Sequence, residues 1–401
     1  MMGEQVMVSN QCFVEVSHNS LNKKGEELCG DKVEIFQSDS RTIIVLADGL
    51  GSGVKANILA TLTSKIAITM LKKGADIEEV VETIVHTLPV CKVRNMAYST
   101  FTVIEIDENL KCKIFESENP PFFFLRDGQI LIPEKKEVTI LDKTIVLTEV
   151  QLEEDDIIYI CSDGVIHAGV GQMLNFGWQW EHVANYIKKK SDLNAGFLCQ
   201  RLIKACDELY EGQPGDDTTI VTLKIRQPLQ VLLFTGPPLD PGHDHKLVNK
   251  FIHQPGKKIV CGGTAANIVS RELKKEIVTS LNYHDISIPP TAKIAGVDLV
   301  TEGVLTLKRT IEMIGKYRQG LLEPNDIGED GASQLFDLLI SYGTHIEFWV
   351  GKAINTAHQN PDFPKELSIK MNLVEDLCEA LRSVGKEVDV SYVSEVTNES
   401  L

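Results

Sequence analysis

Several features that define other protein classes are missing from this chain. Its nine cysteines include no CxxC pair, and an odd number without regular spacing argues against a disulfide framework or a zinc knuckle. No run approaches roughly eighteen consecutive apolar residues, so we expect no membrane span. The first dozen residues lack a basic start followed by an apolar run, so we expect no signal peptide. These absences predict a cytoplasmic protein.

Positive charge is also in short supply. The chain has 40 Lys and Arg residues against 57 Asp and Glu, a formal net charge of −17. Such a surface repels the phosphates of nucleic acids and anionic lipids, so neither nucleic acid nor membrane is an expected partner. Carboxylates that lie close together can instead hold cations.

The length of 401 residues suggests two or three domains. In the first half, strand-like runs rich in Ile, Val, Phe and Thr surround amphipathic helical segments. The predicted strands are Val33–Gln37, Thr42–Ala47, Ser99–Glu105, Cys112–Glu116, Phe122–Leu125, Ile157–Cys161 and Thr219–Ile225. The predicted helices are Val54–Lys72, Ile77–Thr87 and a stretch from Trp180 to Tyr210 that is interrupted near Ser191–Asn194. This order indicates antiparallel sheets flanked by helices, an α+β or α/β layered fold.

A domain boundary is expected at Arg226–Leu229, where a strand meets Pro228 and a new pattern begins. We therefore assign residues 1–227 to one domain and 228–401 to a second. In the second domain, strands, loops and helices alternate, which predicts an α/β fold. The expected strands are Val231–Phe234, Lys258–Cys261, His345–Val350 and Glu387–Val393. The expected helices run to about Ile277 and over Thr301–Tyr317, Ala332–Ser341 and Met371–Val384.

Four aspartates share one setting, at the end of a strand-like run and next to glycine or another aspartate. They are Asp31, Asp48, Asp163 and Asp216. Strand ends can present several carboxylates to one point at the rim of a sheet. Carboxylate and carbonyl oxygens are the ligands that hard divalent cations prefer. Two such ions about 3.5–4 Å apart would activate a water and stabilise charge on a phosphoryl group.

A single Asp-Gly pair has a simpler explanation, because it is a common turn signal. Asp127-Gly128 is predicted to be a hairpin turn of this kind, and Asp330-Gly331 a loop or helix start. The functional interpretation depends on the joint pattern, in which the four motifs each follow an apolar run.

The ordered motifs resemble a known family. Gly-Asp31, then Ala-Asp48-Gly-Leu-Gly-Ser-Gly before a helix, then Cys-Ser-Asp163-Gly-Val, then Gly-Asp216-Asp-Thr-Thr resemble the PPM (PP2C-like) serine/threonine phosphatases. Asn119-Pro-Pro with the following Phe-rich strand is similar to a stretch of the bacterial SpoIIE/RsbU-type branch. The resemblance covers about half of the chain, from Glu26 to Arg226. It implies a PP2C-like β-sandwich flanked by helices, with a second α/β domain after it.

The resemblance also implies roles for individual residues. Asp48 would bridge two Mn²⁺ or Mg²⁺ ions, and the Gly49 carbonyl would join one of them. Asp163 and Asp216 would hold the other ion. Asp31 would lie in the outer shell or orient a water. The helices after the Gly49 turn would form a regulatory element.

Two positions depart from the family pattern. Gly30 stands where eukaryotic members have a further acidic ligand, and Glu26 stands where they have a phosphate-binding arginine. Substrate phosphate would then depend mainly on the metal ions. Two neighbours of the motifs have open roles. His167 is either a proton donor near the site or a solvent-facing helix-start residue. Asp217 either orients Asp216 or a water, or is a turn residue.

The second domain resembles no family of known activity. Gly262, Gly263 and Thr264 follow a strand and precede a helix, so they form either a ligand loop or a tight loop capped by threonine. The domain is a candidate sensor, ligand-binding or dimerising module, and a homodimer is one of the expected assemblies.

The leading hypothesis is therefore a metal-dependent phosphoprotein phosphatase, an enzyme whose substrate is a phosphorylated protein. The resemblance implies a signalling regulator such as a STAS-type anti-sigma antagonist. One alternative is a catalytically silent phosphatase fold that acts as a sensor, which the full set of aspartates disfavours. Another is a two-metal hydrolase of a small phosphate ester.

Overall fold

The structure, a computed structural model, describes residues 12–88, 99–141, 143–238, 240–279, 289–351 and 365–393. The chain divides into two compact units, Met1–Gln227 and Pro228–Leu401. Each unit has its own sheets and its own buried core, and each is described by itself.

The N-terminal unit is built from antiparallel strands and a few helices. Its strands are β1 (Phe13–Leu21), β2 (Asp31–Ser38), β3 (Arg41–Gly49), β4 (Ser99–Asp107), β5 (Lys111–Ser117), β6 (Phe123–Arg126), β7 (Gln129–Leu131), β8 (Lys135–Ile140), β9 (Lys143–Gln151), β10 (Ile157–Cys161) and β11 (Thr218–Arg226). Its helices are α1 (Gly53–Lys72), α2 (Ile77–Thr87), α3 (Asp163–Ile166), α4 (Trp180–Ile187) and α5 (Ala195–Leu209).

These strands form two antiparallel sheets. One has the order β1-β11-β10-β6-β7 and the other the order β2-β3-β4-β5-β9-β8. Side chains from both sheets meet in a single buried cluster, which includes Ile44 and Leu46 of β3 and Ile158 and Ile160 of β10. The two sheets are thus the two halves of a β-sandwich.

Helices cover the outer faces of the sandwich because successive residues of a strand point to opposite sides. Ile43, Val45 and Ala47 of β3 point away from the sandwich interior and pack under α1 and α2. On the other sheet, Ile157 and Tyr159 of β10 do the same under α4 and α5. The uninterrupted apolar runs of β3 and β10 reflect burial on both faces.

The predicted fold class is confirmed, since both units combine helices with sheet: the first has two sheets packed as a sandwich flanked by helices, and the second has a single seven-stranded sheet with helices. The Asp127-Gly128 hairpin is also confirmed: both residues have positive φ, and Arg126 pairs with Gln129 across the turn. Four strands of this unit, β1, β7, β8 and β9, were not predicted. Strand β7 is short, and the other three are rich in polar and charged residues. Strand β1 pairs with β11, about two hundred positions away.

Among the described residues, α1 is the one helix long and apolar enough, by length and composition, to cross a membrane. Ala60, Ala67, Ile68 and Leu71 of this helix are buried and pack onto the sheet. Core helices of globular domains have the same composition, so the helix is explained by its place in the fold.

The C-terminal unit is organised around a mostly parallel sheet. Its strands are β12 (Gln230–Thr235), β13 (Lys257–Cys261), β14 (Val278–Thr279), β15 (Ala292–Lys293), β16 (Leu299–Thr301), β17 (His345–Val350) and β18 (Glu387–Tyr392). Its helices are α6 (Asp244–His253), α7 (Gly263–Leu273), α8 (Val304–Arg318), α9 (Gly331–Phe336), which continues as a π-helix over Asp337–Tyr342, and α10 (Lys365–Ser383).

The strand order of this sheet is β14-β15-β16-β13-β12-β17-β18. The five strands from β16 to β18 are parallel, and β12, the first along the chain, lies in the middle. Numbered within the unit, the parallel strands follow the order 3-2-1-4-5, the arrangement of doubly wound α/β folds. Helix α6 was not predicted, although its buried Leu247, Val248 and Phe251 have helical spacing.

Candidate metal centre

Five aspartates meet at one end of the sandwich. Asp31 begins β2 and Asp48 is the penultimate residue of β3, so antiparallel pairing brings them to the same end. Asp163 follows β10, while Asp216 and Asp217 precede β11. Because β10 and β11 are antiparallel neighbours, these three residues share one end of the other sheet. The fold thus places the four predicted aspartates at strand ends, but only Asp48 and Asp163 come at the end of an apolar strand as the motifs predicted, whereas Asp31 and Asp216 stand at the start of theirs.

Asp31 and Asp48 lie directly opposite each other on neighbouring strands. The Gly49 backbone N–H donates to the Gly30 carbonyl over 3.1 Å, which closes the ladder at this end. A Cβ on Gly49 would collide with the backbone carbonyl of Ala56 in α1. Glycine is therefore required where the first turn of α1 passes over the end of β3.

The turn that carries Asp163 is fixed by its neighbours. Ser162 exchanges two hydrogen bonds with Thr219, one from the Ser162 N–H to the Thr219 carbonyl and one from the Thr219 N–H to the Ser162 Oγ. The Tyr210 hydroxyl donates to the Gly164 carbonyl over 2.7 Å. A Cβ on Gly164 would collide with the Asp217 carbonyl. These contacts hold the Asp163 turn against the loop of Asp216 and Asp217.

Burial and mutual repulsion perturb the carboxylates. Burial raises the pKa of Asp48 to about 9, and the negative charges of Asp31 and Asp163 act in the same direction. Burial also raises the pKa of Asp31 to about 7, with further contributions from Asp217 and Asp163. The pKa of Asp163 is raised by burial and by Asp216. Carboxylates in this state gain from any cation placed among them.

Unpartnered oxygens mark the same place. Both carboxylate oxygens of Asp31 and the Oδ2 of Asp217 are buried without a hydrogen-bond partner. The hydroxyls of Ser162 and Thr219 lower the pKa of Asp31, but neither is positioned to donate a hydrogen bond to it. Buried carboxylates are normally paired or bound to metal, so these orphaned oxygens fit divalent cations, which prefer oxygen donors.

The ligand set is not preassembled. As the side chains stand, no three His, Cys, Asp or Glu groups in the described parts of the chain converge to hold one ion. Like charges in a poorly solvated site repel one another, and Asp216 Oδ1 is paired with the Lys23 ammonium over 3.3 Å. The donor chemistry fits a metal centre, and binding would draw the carboxylates together.

Asp217 is part of the carboxylate cluster, whereas its sequence context left open whether it was only a turn residue. It is 5% exposed, and its Oδ1 accepts a hydrogen bond from the Lys23 backbone N–H over 3.0 Å. Its Oδ2 would lie 2.8 Å from a Cβ placed on Gly30. The absence of a side chain at Gly30 therefore leaves the space that Asp217 occupies.

Three further positions complete the surroundings. Glu26 accepts a hydrogen bond from the Ser52 hydroxyl over 2.9 Å, next to the start of α1. The exposed His167 ends α3, and its charge lowers the pKa of Asp163. Lys23 was missed by sequence reasoning, because it stands in a loop without periodicity, eight positions before the first motif.

In the C-terminal unit, the predicted loop Gly262-Gly263-Thr264 lies at the carboxyl end of β13. Helix α7 begins at Gly263, and its N-cap is Gly262, with φ of 105°, not Thr264. The Gly262 N–H donates to the Thr301 carbonyl over 2.9 Å, which ties this loop to the end of β16. The loop is thus a sharp strand-to-helix turn at a sheet edge.

The match to a known family lies within the N-terminal unit. Residues 38–226 match the model of the family described as Stage II sporulation protein E (SpoIIE). The N-terminal unit resembles SpoIIE. The resemblance predicted from the aspartate motifs is thereby confirmed.

A curated relative and two solved structures illustrate the likeness. Stage II sporulation protein E of Bacillus subtilis (strain 168) is 23% identical over 208 residues, which are 51% of this chain and 24% of that protein. The chain thus spans about a quarter of that relative's length. The structure of the SpoIIE phosphatase domain from Bacillus subtilis is 22% identical with a TM-score of 0.42, covering 54% of this chain and 94% of that one. RsbX in complex with magnesium is 18% identical with a TM-score of 0.40, covering 53% and 95%.

Proposed function

We propose that the SpoIIE-like unit is a metal-dependent protein phosphatase that hydrolyses phosphoserine or phosphothreonine. The observation that carries this proposal is the meeting of five aspartates from both sheets, with buried, unpartnered oxygens on Asp31 and Asp217. A purely structural site would gain from replacing such groups with apolar or paired ones. The match to the SpoIIE family over residues 38–226 supports the same function.

The metal-holding roles are assigned to the residues that the strand ends bring together. Asp48 and the Gly49 carbonyl would serve one ion, with Asp48 shared between two. Asp163 and Asp216 would serve the other. Asp31, directly opposite Asp48, would orient a water or complete the set. Asp217, held by the Lys23 N–H, would position Asp216 and the loop that carries both residues.

Two Mn²⁺ or Mg²⁺ ions, when bound, would supply Lewis acidity and an activated water for attack on phosphorus. The chain supplies the rest. The two hydrogen bonds between Ser162 and Thr219 hold the Asp163 turn in place, and the first turn of α1 packs over Gly49, next to Asp48. His167, exposed at the end of α3, is placed to exchange protons with solvent and is the side-chain candidate for protonating the leaving alkoxide.

The substrate of this proposal is a phosphorylated protein. By its resemblance to the SpoIIE/RsbU branch, the chain would act on a small signalling regulator of the STAS type in the cytoplasm. The C-terminal unit would regulate this activity by binding a ligand at the carboxyl edge of its parallel sheet or by forming a homodimer. Its doubly wound strand order supports the ligand role, because such folds bind ligands at that edge.

The test compares turnover of a phosphoserine peptide and a generic phosphate ester in Mn²⁺ and in EDTA. We expect Mn²⁺-dependent turnover that Asp48→Asn reduces by more than about a hundred-fold, since loss of even outer-shell partners costs ten- to a hundred-fold. Asp127→Asn is the matched control, because Asp127 is an Asp-Gly aspartate in a hairpin outside the cluster.

Other outcomes would identify the alternatives. A chain that binds Mn²⁺ but turns over neither substrate is a silent sensor. One that prefers the small ester to the phosphopeptide is a small-molecule hydrolase. Absence of both Mn²⁺ binding and turnover would refute the metal-dependent enzyme.

A further inference from the structure

The cluster of aspartates has a cation of its own. The ammonium of Lys23 lies 3.3 Å from Asp216 Oδ1, and no other ion pair to the five aspartates occurs within the described ranges. The side chains of Lys23 and Asp216 are 35% and 40% exposed, so the pair lies at the rim of the site. Lys23 therefore sits between the carboxylates and solvent.

The position of Lys23 is fixed by its backbone. Its N–H donates to Asp217 Oδ1, and the next residue's N–H donates to the Pro214 carbonyl over 2.8 Å. Lys24 Nζ reaches Gln213 Oε1 over 2.7 Å. The turn between β1 and β2 is thus bound to the loop that carries Asp216, and only the Lys23 side chain is left to move.

The position that carries a phosphate-binding arginine in the family's eukaryotic branch supplies no positive charge here. It is occupied by Glu26, whose carboxylate accepts from the Ser52 hydroxyl and lies against Gly53 at the start of α1. A phosphate ester is a dianion, and the site around it is lined by carboxylates. Without a positive side chain, binding of the phosphate would depend on the metal ions alone.

We propose that Lys23 is the phosphate-binding cation of this site, paired with Asp216 when no metal is bound and turned to the phosphoryl oxygens when metal ions occupy that carboxylate. This inference rests on the proposed phosphatase function. It follows from the ion pair at the rim and from the diversion of Glu26 to α1.

The exchange of partners is physically simple. A lysine ammonium is a compact point charge on a flexible four-carbon stem, so it can leave one oxygen for another without movement of the backbone. A divalent ion at Asp216 takes over the neutralisation of that carboxylate. The released ammonium donates hydrogen bonds to phosphate oxygens. No covalent bond to Lys23 forms or breaks during hydrolysis.

The direct test is binding of inorganic phosphate to the Mn²⁺-loaded full chain by calorimetry. Lys23→Gln should weaken the phosphate affinity by about ten-fold or more, the usual size of a lost charge-assisted hydrogen bond. Lys23→Arg should recover most of it. Lys24→Gln is the matched control. It removes the same charge from the neighbouring residue, whose own ammonium is hydrogen-bonded to Gln213.

A second measurement separates phosphate binding from metal binding. The Mn²⁺ affinity of Lys23→Gln should equal or exceed that of the native chain, since the ion no longer displaces an ammonium. In turnover of a phosphoserine peptide, KM should rise by about ten-fold with a smaller change in kcat.

Unchanged phosphate affinity in Lys23→Gln would overturn the proposal, and so would loss of Mn²⁺ binding, which would make Lys23 an organiser of the metal site. If the native chain shows no turnover while Lys23→Gln still weakens phosphate binding, the phosphatase function fails and the role of Lys23 in binding phosphate stands.

Discussion

The two units of this chain place very different residues at the ends of their strands. In the SpoIIE-like unit, strand ends carry aspartates whose pKa values are raised by burial, and some of their buried oxygens have no hydrogen-bond partner. In the C-terminal unit, the parallel strands end in uncharged residues, namely Thr235, Cys261, Thr301, Val350 and Tyr392, and glycine follows three of them. Thr235 donates from Oγ1 to the Cys261 carbonyl over 2.8 Å, and Gly351 donates from its N–H to Thr235.

This difference shows what makes a ligand site recognisable at a sheet edge. Both edges follow the same geometric rule, that strand ends converge, but only the first stores electrostatic free energy that a ligand can release. Carboxylates crowded together are costly without cations, whereas a neutral glycine edge costs little when nothing is bound. The first unit can therefore be assigned a class of ligand from its own energetics, and the second cannot.

The largest expected contrast is between two glycine substitutions at corresponding strand-to-helix turns. Gly49→Ala should destabilise the SpoIIE-like unit by about 3 kcal/mol or more and abolish Mn²⁺ binding, because its Cβ would collide with the Ala56 backbone. Gly263→Ala should stay within about 0.5 kcal/mol, because a Cβ there meets nothing within 4 Å. Urea unfolding of both full-length variants measures the contrast. Equal effects would mean that the two turns are equally constrained.

The next effect is stabilisation by metal. Mn²⁺ at a hundred times its Kd should add about 2.7 kcal/mol, or roughly 5–10 °C in Tm, to the unfolding of the SpoIIE-like unit. Differential scanning calorimetry of the full chain, with and without EDTA, measures it. Asp48→Asn should lose most of the shift. A shift of the same size in that variant would place the bound ion elsewhere, and would remove the energetic distinction between the two edges.

The third effect is the pH dependence of the metal-free chain. The pKa values of Asp31 and Asp48 are raised to about 7 and about 9 in the folded state, above the ordinary value near ~4. At pH values between the unfolded-state and the folded-state pKa, the folded state binds more protons than the unfolded state. The free energy of unfolding in EDTA should therefore fall as the pH rises from about 4 to about 9.

Thermal unfolding across that pH range in EDTA and in Mn²⁺ checks the prediction. Metal should flatten the slope, because cations favour the charged carboxylates. A metal-free stability that rises with pH over this window would contradict the account of repulsion at the cluster.

Much of this arrangement was predictable from sequence. Asp48 and Asp163 come at the ends of strongly apolar strands, Asp31 begins β2 and Asp216 lies just before β11, and strand ends must meet at a sheet edge. Local pattern and global fold agree at these positions, and they are the ones that were found.

The rest depends on contacts between distant residues. Lys23 and Asp216 lie near opposite ends of the unit's sequence although their side chains are paired, and no motif or periodicity around Lys23 identifies it. Asp217 can occupy its place in the cluster because Gly30 has no side chain, and no spacing rule applied to the sequence reveals this contact. Strand β1 was missed because its order comes from pairing with β11 and not from apolar alternation of its own. Side-chain chemistry is local in sequence, but its electrostatic setting is not.

The pairing of β2 with β3 has a consequence for how this protein can change. A slip of one residue would separate Asp31 from Asp48 and would also exchange the inner and outer faces of one strand. The same register that buries Ile44 and Leu46 thus aligns the two carboxylates. Mutational drift in the interior is therefore screened by activity as well as by folding. Sequences that retain the aspartates should tolerate fewer volume changes in β3 than those that have lost them.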